Sequence, residues 1–127
     1  QLGNSGGQKF WSWYGFDSRV EWCACFASWC AEQSGMVASG QVLKFSSCAV
    51  GASWFQGQGR WKGKGYTPSA GDFIFFDWNK DGQVDHVGIV VNVANGRVNT
   101  IEGNTSNMVA RRSYQLGGIV IVGYGYI

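Results

Sequence analysis

One stretch constrains this chain more than any other: Glu21-Trp22-Cys23-Ala24-Cys25-Phe26-Ala27-Ser28-Trp29-Cys30. It is apolar, interleaves small and large side chains, and runs on through Ala31-Glu32-Gln33-Ser34 to Gly35. Glycine just past such a run marks a helix end, because its backbone accepts the left-handed turn that closes the last carbonyls. The stretch predicts a helix from about Trp22 to Ser34, with Asp17 or Ser18 available to cap it. Shorter helices are expected over Gln8 to Tyr14 and Ala49 to Gly57, the second turning Ala52, Trp54 and Phe55 inward. After the turn at Pro68-Ser69-Ala70-Gly71 the pattern changes to β-branched and aromatic runs. These predict strands over Asp72 to Trp78, Val84 to Ala94, Arg97 to Glu102, Met108 to Tyr114 and Ile119 to Tyr126. Asn95-Gly96 between two of them is a hairpin signal, since both residues tolerate positive φ. Helices first and an antiparallel meander after them give an α+β fold, with N-terminal helices packed on a small curved sheet of about five or six strands. Gln58 to Tyr66 reads as a Gly- and Lys-rich loop carrying Trp61, either one wall of a groove or an exposed loop with one anchoring ring.

The predicted helix start places Cys23 in the first turn. Free N–H groups and the positive end of the helix dipole favour a thiolate there. An ordinary cysteine has a pKa of about 8.5 and is mostly a thiol at neutral pH, so a nucleophile at this position needs a proton partner. The chain has a single histidine, His86. It lies in the strand-like run Val84-Asp85-His86-Val87-Gly88-Ile89-Val90, whose alternation puts Val84, His86, Gly88 and Val90 on one face and Asp85 on the other. In the next strand Thr100, Glu102 and Asn104 share a face. A cysteine on a helix start, a histidine on a strand and polar residues on the following strand give the order nucleophile, base, orienting group. Glu102 is the stronger orienter, and Asn104 shares that role or serves as a turn residue. Tyr14, upstream of Cys23, is a candidate oxyanion donor beside the Cys23 N–H. The plainer reading of the Phe10-to-Phe16 rings is core packing.

With these motifs in hand, the sequence resembles the CHAP family. The resemblance rests on Trp22-Cys23-Ala24 with Phe26 and Trp29, on Gly71-Asp72-Phe73-Ile74-Phe75-Phe76, on Asp85-His86-Val87-Gly88-Ile89-Val90, and on Ile101-Glu102-Gly103-Asn104. It extends to the closing Gly123-Tyr124-Gly125-Tyr126. These are cysteine- and histidine-dependent amidohydrolases and peptidases that cut bacterial peptidoglycan. The resemblance implies a papain-like fold and a single catalytic domain over residues 1–127, excised from or part of a larger protein. It also implies peptidoglycan as substrate. The reaction would be hydrolysis of an amide in the stem peptide or cross-bridge, or of the muramoyl–alanine amide. Cys23, His86 and Glu102 match the family's nucleophile, base and orienter. Action at the bacterial cell wall follows, by a secreted or anchored protein or one released by a phage at lysis. A wall-binding module without turnover, and a general peptidase or toxin on the same fold, are the competing readings.

Charge and cysteine content narrow the remaining classes. Net charge is +2, and no run of Lys or Arg forms a stripe, which argues against nucleic acid. No apolar run is long enough to insert into a bilayer. The domain is expected to act as a monomer, with no cofactor needed for its chemistry. Asp77, Asn79, Asp81, Gln83 and Asp85 match the start of an EF-hand-type loop, although the bidentate-Glu position is held by Gly88. Structural Ca²⁺ is one reading of that loop and a solvated Asp81-Gly82 turn the other. Cys25, Cys30 and Cys48 read as small buried apolar residues, with a Cys30–Cys48 disulfide as the main alternative.

Overall fold

A computed structural model describes residues 2–127 of the chain. Three helices come first: α1 Gln8–Tyr14, α2 Cys23–Gln33 and α3 Cys48–Gly57. Six strands follow: β1 Trp61–Gly63, β2 Phe73–Phe76, β3 His86–Ala94, β4 Arg97–Thr105, β5 Met108–Gln115 and β6 Ile121–Gly125. All pairings are antiparallel, in the order β1-β6-β2-β3-β4-β5. The expected α+β class holds. Only β2 to β5 form a meander, however. β6 returns across the sheet to pair with β2, which makes β2 an interior strand with four consecutive buried residues, Phe73-Ile74-Phe75-Phe76. β1 is an addition to the expected elements. Its residues Trp61, Lys62 and Gly63 pair with Gly125, Tyr124 and Gly123, far along the chain. Trp61 packs on Phe75, with ring centroids 5.5 Å apart, and so serves as an anchoring ring.

The sheet buries side chains on both faces, because alternate residues of one strand point to opposite sides. Phe73, Phe75 and Val87 join Ala24, Ala27, Phe45 and Phe55 under the helices. Ile74, Phe76, Val90, Val98, Ile121 and Tyr124 form a second cluster on the other face. A third cluster, Phe10, Trp22, Cys25, Phe26 and Val109, binds α1 to α2. Gly103 of β4 lets α2 approach closely: a Cβ there would lie 2.4 Å from the Phe26 Cβ. The Asn95-Gly96 hairpin forms as expected, with φ of 55° and 74° between paired Ala94 and Arg97.

Neither Asp17 nor Ser18 caps α2. The helix begins later than those residues allow, with Trp22 at the cap position and no side-chain cap bond. Ser28, in mid-helix, performs a different task. Its buried hydroxyl donates to the Phe45 carbonyl at 2.7 Å and accepts the Phe45 N–H at 2.9 Å. This clamps the segment before α3 onto α2. Ser47 then caps α3 by accepting the Val50 N–H at 3.3 Å. Among the described residues no helix is long and apolar enough to cross a membrane.

Candidate active site

The N-terminus of α2 and the first residues of β3 meet at Cys23, which is 5% exposed. Its sulfur is hydrogen-bonded by His86 and by the backbone N–H of Val87. A second sulfur, Sγ of Cys48 at the start of α3, lies 3.2 Å away. On the far side of the imidazole, His86 Nε2 is 2.8 Å from Glu102 Oε1. With Nε2 engaged by Glu102, Nδ1 is the ring nitrogen left for Cys23. Glu102 is fully buried and accepts two further hydrogen bonds, from the hydroxyls of Thr100 and, at 2.7 Å, Tyr114. A buried carboxyl is tolerated only when its lone pairs are satisfied in this way. Gly88 clears its path: a Cβ there would sit 2.6 Å from Glu102 Cγ.

These contacts fix the protonation chemistry. The Cys48 hydrogen bond, against the opposing pull of burial and with the help of the His86 hydrogen bond and charge, holds the Cys23 thiol well below its ordinary value. The same hydrogen bond, together with burial, pushes Cys48 far upward, so Cys48 remains a thiol. Burial disfavours charge on His86. Hydrogen bonds and charges from Cys23 and Glu102 outweigh it and raise His86 to about 9. Both shifts run in the direction that favours a thiolate–imidazolium pair. Trp78 covers the imidazole from one side, with centroids 5.5 Å apart, and is itself stacked on Phe76 at 4.6 Å.

A helix-start thiolate facing a strand histidine that is held by a buried carboxyl is the arrangement the sequence motifs anticipate. The CHAP domain profile matches residues 13–104, which span Cys23, His86, Glu102 and Asn104. The chain belongs to the CHAP domain family. This CHAP domain is also similar in fold to two crystal structures of Ly7917. One, with the hydrolyzing product of MDP, has 22% identity, a TM-score of 0.56, and coverage of 80% of this chain and 52% of that one. The other has 20% identity, a TM-score of 0.55, and coverage of 80% and 51%. The CHAP domain thus spans about half the length of the solved structures it matches. A search of curated proteins gave no match.

Other expected site residues are placed differently. Asn104 does not turn toward His86. Its amide donates to Glu21, and its carbonyl oxygen accepts from Arg19 at 2.9 Å. The cause is local: the β4–β5 register shifts between Glu102 and Thr105, and Asn104 has a φ of 56°, so the strand alternation fails there. Tyr14 stacks on Phe16 at 5.5 Å, and Lys44 Nζ lies 4.8 Å from its ring centroid. In the acidic loop the side chains are spent on the backbone. Asp77 accepts the N–H groups of Asp81 and Gly82, Asn79 accepts that of Asp81, Asp81 that of Gln83, and Asp85 that of Trp78. Among the described residues no group of three or more His, Cys, Asp or Glu side chains converges as a metal site.

All four cysteines are free. The Cys30–Cys48 pairing does not occur: Cys30 packs with the α1–α2 cluster, whereas Cys48 faces Cys23. Sequence reading missed Cys48, Tyr114 and Trp78 as neighbours of the site. Thr100 was legible, since it shares a strand face with Glu102. Nothing local in the sequence announced the others.

Proposed function

We propose that this CHAP domain is a peptidoglycan hydrolase that cuts an amide of the stem peptide or cross-bridge through Cys23. The observation that carries this reading is the continuous chain of contacts from the Cys23 sulfur through His86 to Glu102, in a family whose members act on cell-wall peptidoglycan. The Ly7917 structure with the hydrolyzing product of MDP supports the substrate class. In the proposed reaction the Cys23 thiolate attacks the carbonyl carbon and the charge moves onto the carbonyl oxygen. The α2 N-terminus, whose first turn has no side-chain cap, offers N–H groups to that oxyanion. The His86 imidazolium gives its proton to the leaving amine as the C–N bond breaks. Neutral His86 then takes a proton from water, which attacks the thioester and returns the thiolate. Glu102 orients the ring and offsets its charge throughout.

Digestion of purified walls followed by mass spectrometry tests the reading. New amino termini in stem or cross-bridge peptides identify an endopeptidase. Release of the stem from muramic acid identifies the amidase alternative on the same site. Binding to walls with no bond cut would leave only the wall-binding reading.

A further inference from the structure

The Cys23–Cys48 pair goes unused by the proposed reaction beyond one hydrogen bond. Two sulfurs 3.2 Å apart, both buried and neither in a disulfide, form an unusual contact. We propose that Cys23 and Cys48 are a modification site, joined reversibly into a disulfide by a small-molecule disulfide of the glutathione class, and that this linkage switches the nucleophile off.

The geometry is built for this pairing. Each sulfur sits on the first residue of its helix, and the Ser28 clamp on Phe45 holds the segment leading to α3 against α2. Forming a bond of about 2.05 Å requires the sulfurs to close by roughly 1.2 Å, a displacement on the scale of χ1 adjustments at the two cysteines. Cys25 and Cys30 offer no such option. Each lies in the α1–α2 cluster, and neither has a sulfur neighbour within bonding reach. An attacking thiolate is also present at one member of the pair and absent from the other two cysteines.

The steps balance as two successive exchanges. The Cys23 thiolate attacks one sulfur of oxidised glutathione, breaks its S–S bond and releases one glutathione thiolate, leaving a mixed disulfide on Cys23. That thiolate takes the proton of the His86 imidazolium to become glutathione. The Cys48 thiol, no longer facing a thiolate, then gives up its proton, and its sulfur attacks the Cys23 sulfur 3.2 Å away, expelling the second glutathione thiolate, which takes that proton. The net change is two protein thiols oxidised, one glutathione disulfide reduced and two glutathione thiols formed. A dithiol reductant reverses it. Cys23 is 5% exposed, so the small disulfide must reach its sulfur by the same approach as the substrate of the proposed reaction.

The test uses the full chain, reduced and then equilibrated without oxygen against defined ratios of oxidised to reduced glutathione. Trypsin cuts after Arg19, Lys44 and Arg60, so the expected link joins peptide 20–44 to peptide 45–60. Fragmentation should locate it at Cys23 rather than Cys25 or Cys30. The intact protein should become lighter by two hydrogens without retaining glutathione. Wall lysis should fall in proportion to the linked fraction and return with dithiothreitol. In Cys48→Ser, Cys23 should accumulate the glutathione adduct instead, with lysis compared against that variant's own reduced rate. Stable glutathione on Cys23 of the parent protein, or a link through Cys25 or Cys30, would overturn the proposal. The mass readout is independent of turnover, so it stands or falls apart from the proposed reaction.

Discussion

Two cysteines two residues apart on α2 have opposite chemistry. Cys23 faces the sheet end, where Cys48, His86 and the Val87 N–H surround its sulfur and lower its pKa well below the ordinary thiol value. Cys25 is packed with Phe10, Trp22, Phe26 and Val109. Burial, followed by the nearby Cys23 charge, raises it to about 11. Cys30, a turn and a half further on, is also raised by burial to about 11. Both Cys23 and Cys25 are almost fully buried, so burial does not separate them. The difference lies in what the helix face meets: donors and a cation on one side, hydrocarbon on the other.

The largest expected effect comes from removing one sulfur or the other. Cys23→Ala should abolish wall lysis with the fold retained, whereas Cys25→Ala should keep most of the lysis rate. The latter should lose about 1 kcal/mol of stability, the scale of one small buried apolar group. Turbidity clearance together with thermal melts of both variants measures this. Equal lysis by the parent and Cys23→Ala would erase the contrast.

Glu102→Gln should come next, lowering turnover by ~10²–10⁴-fold with little change in wall affinity. The substitution keeps a carbonyl oxygen for His86 but removes the charge that supports the imidazolium. Lysis within a few-fold of the parent would make Glu102 a merely structural partner of Thr100 and Tyr114.

The pH profile should sharpen the comparison further. In the proposed reaction lysis requires ionised Cys23 and protonated His86, so its alkaline limb should fall near pH 9 and its acid limb well below the ordinary thiol range. Stability should follow the same pH window. His86, raised from 6.5, contributes fully below its ordinary pKa, and that contribution is lost as pH rises through about 9. Cys23, being lowered, contributes above the ordinary thiol pKa and loses that contribution as pH falls through its own depressed value. Iodoacetamide at neutral pH should label Cys23 first, the partly exposed Cys30 more slowly because its thiol is raised to about 11, and the buried Cys25 only on unfolding. Labelling of all cysteines at one rate would contradict the assignment.

The smallest effect concerns the loop before His86. Because Asp77 and Asp81 already accept backbone N–H groups, millimolar Ca²⁺ should give little binding heat and little change in melting temperature. A clear rise in melting temperature on adding Ca²⁺ to EDTA-stripped protein would show that the loop rearranges around an ion.

Much of this was written into short stretches of the chain. The α1 and α2 helices, the Asn95-Gly96 hairpin, the helix-start position of Cys23 and the shared face of Thr100 and Glu102 follow from periodicity, caps and turn chemistry. Such signals act over a few residues, which is why they survive in sequence alone. The tertiary structure decided what meets across distance. It set β1 beside β6, returned β6 to β2, brought Cys48 to Cys23, and carried Tyr114 to Glu102. It also turned Asn104 away from His86 through a register shift that strict alternation could not foresee. The physical reason is common to all of these. Spacing records which face a side chain takes on its own element, whereas its partner on another element is chosen by how the whole core packs.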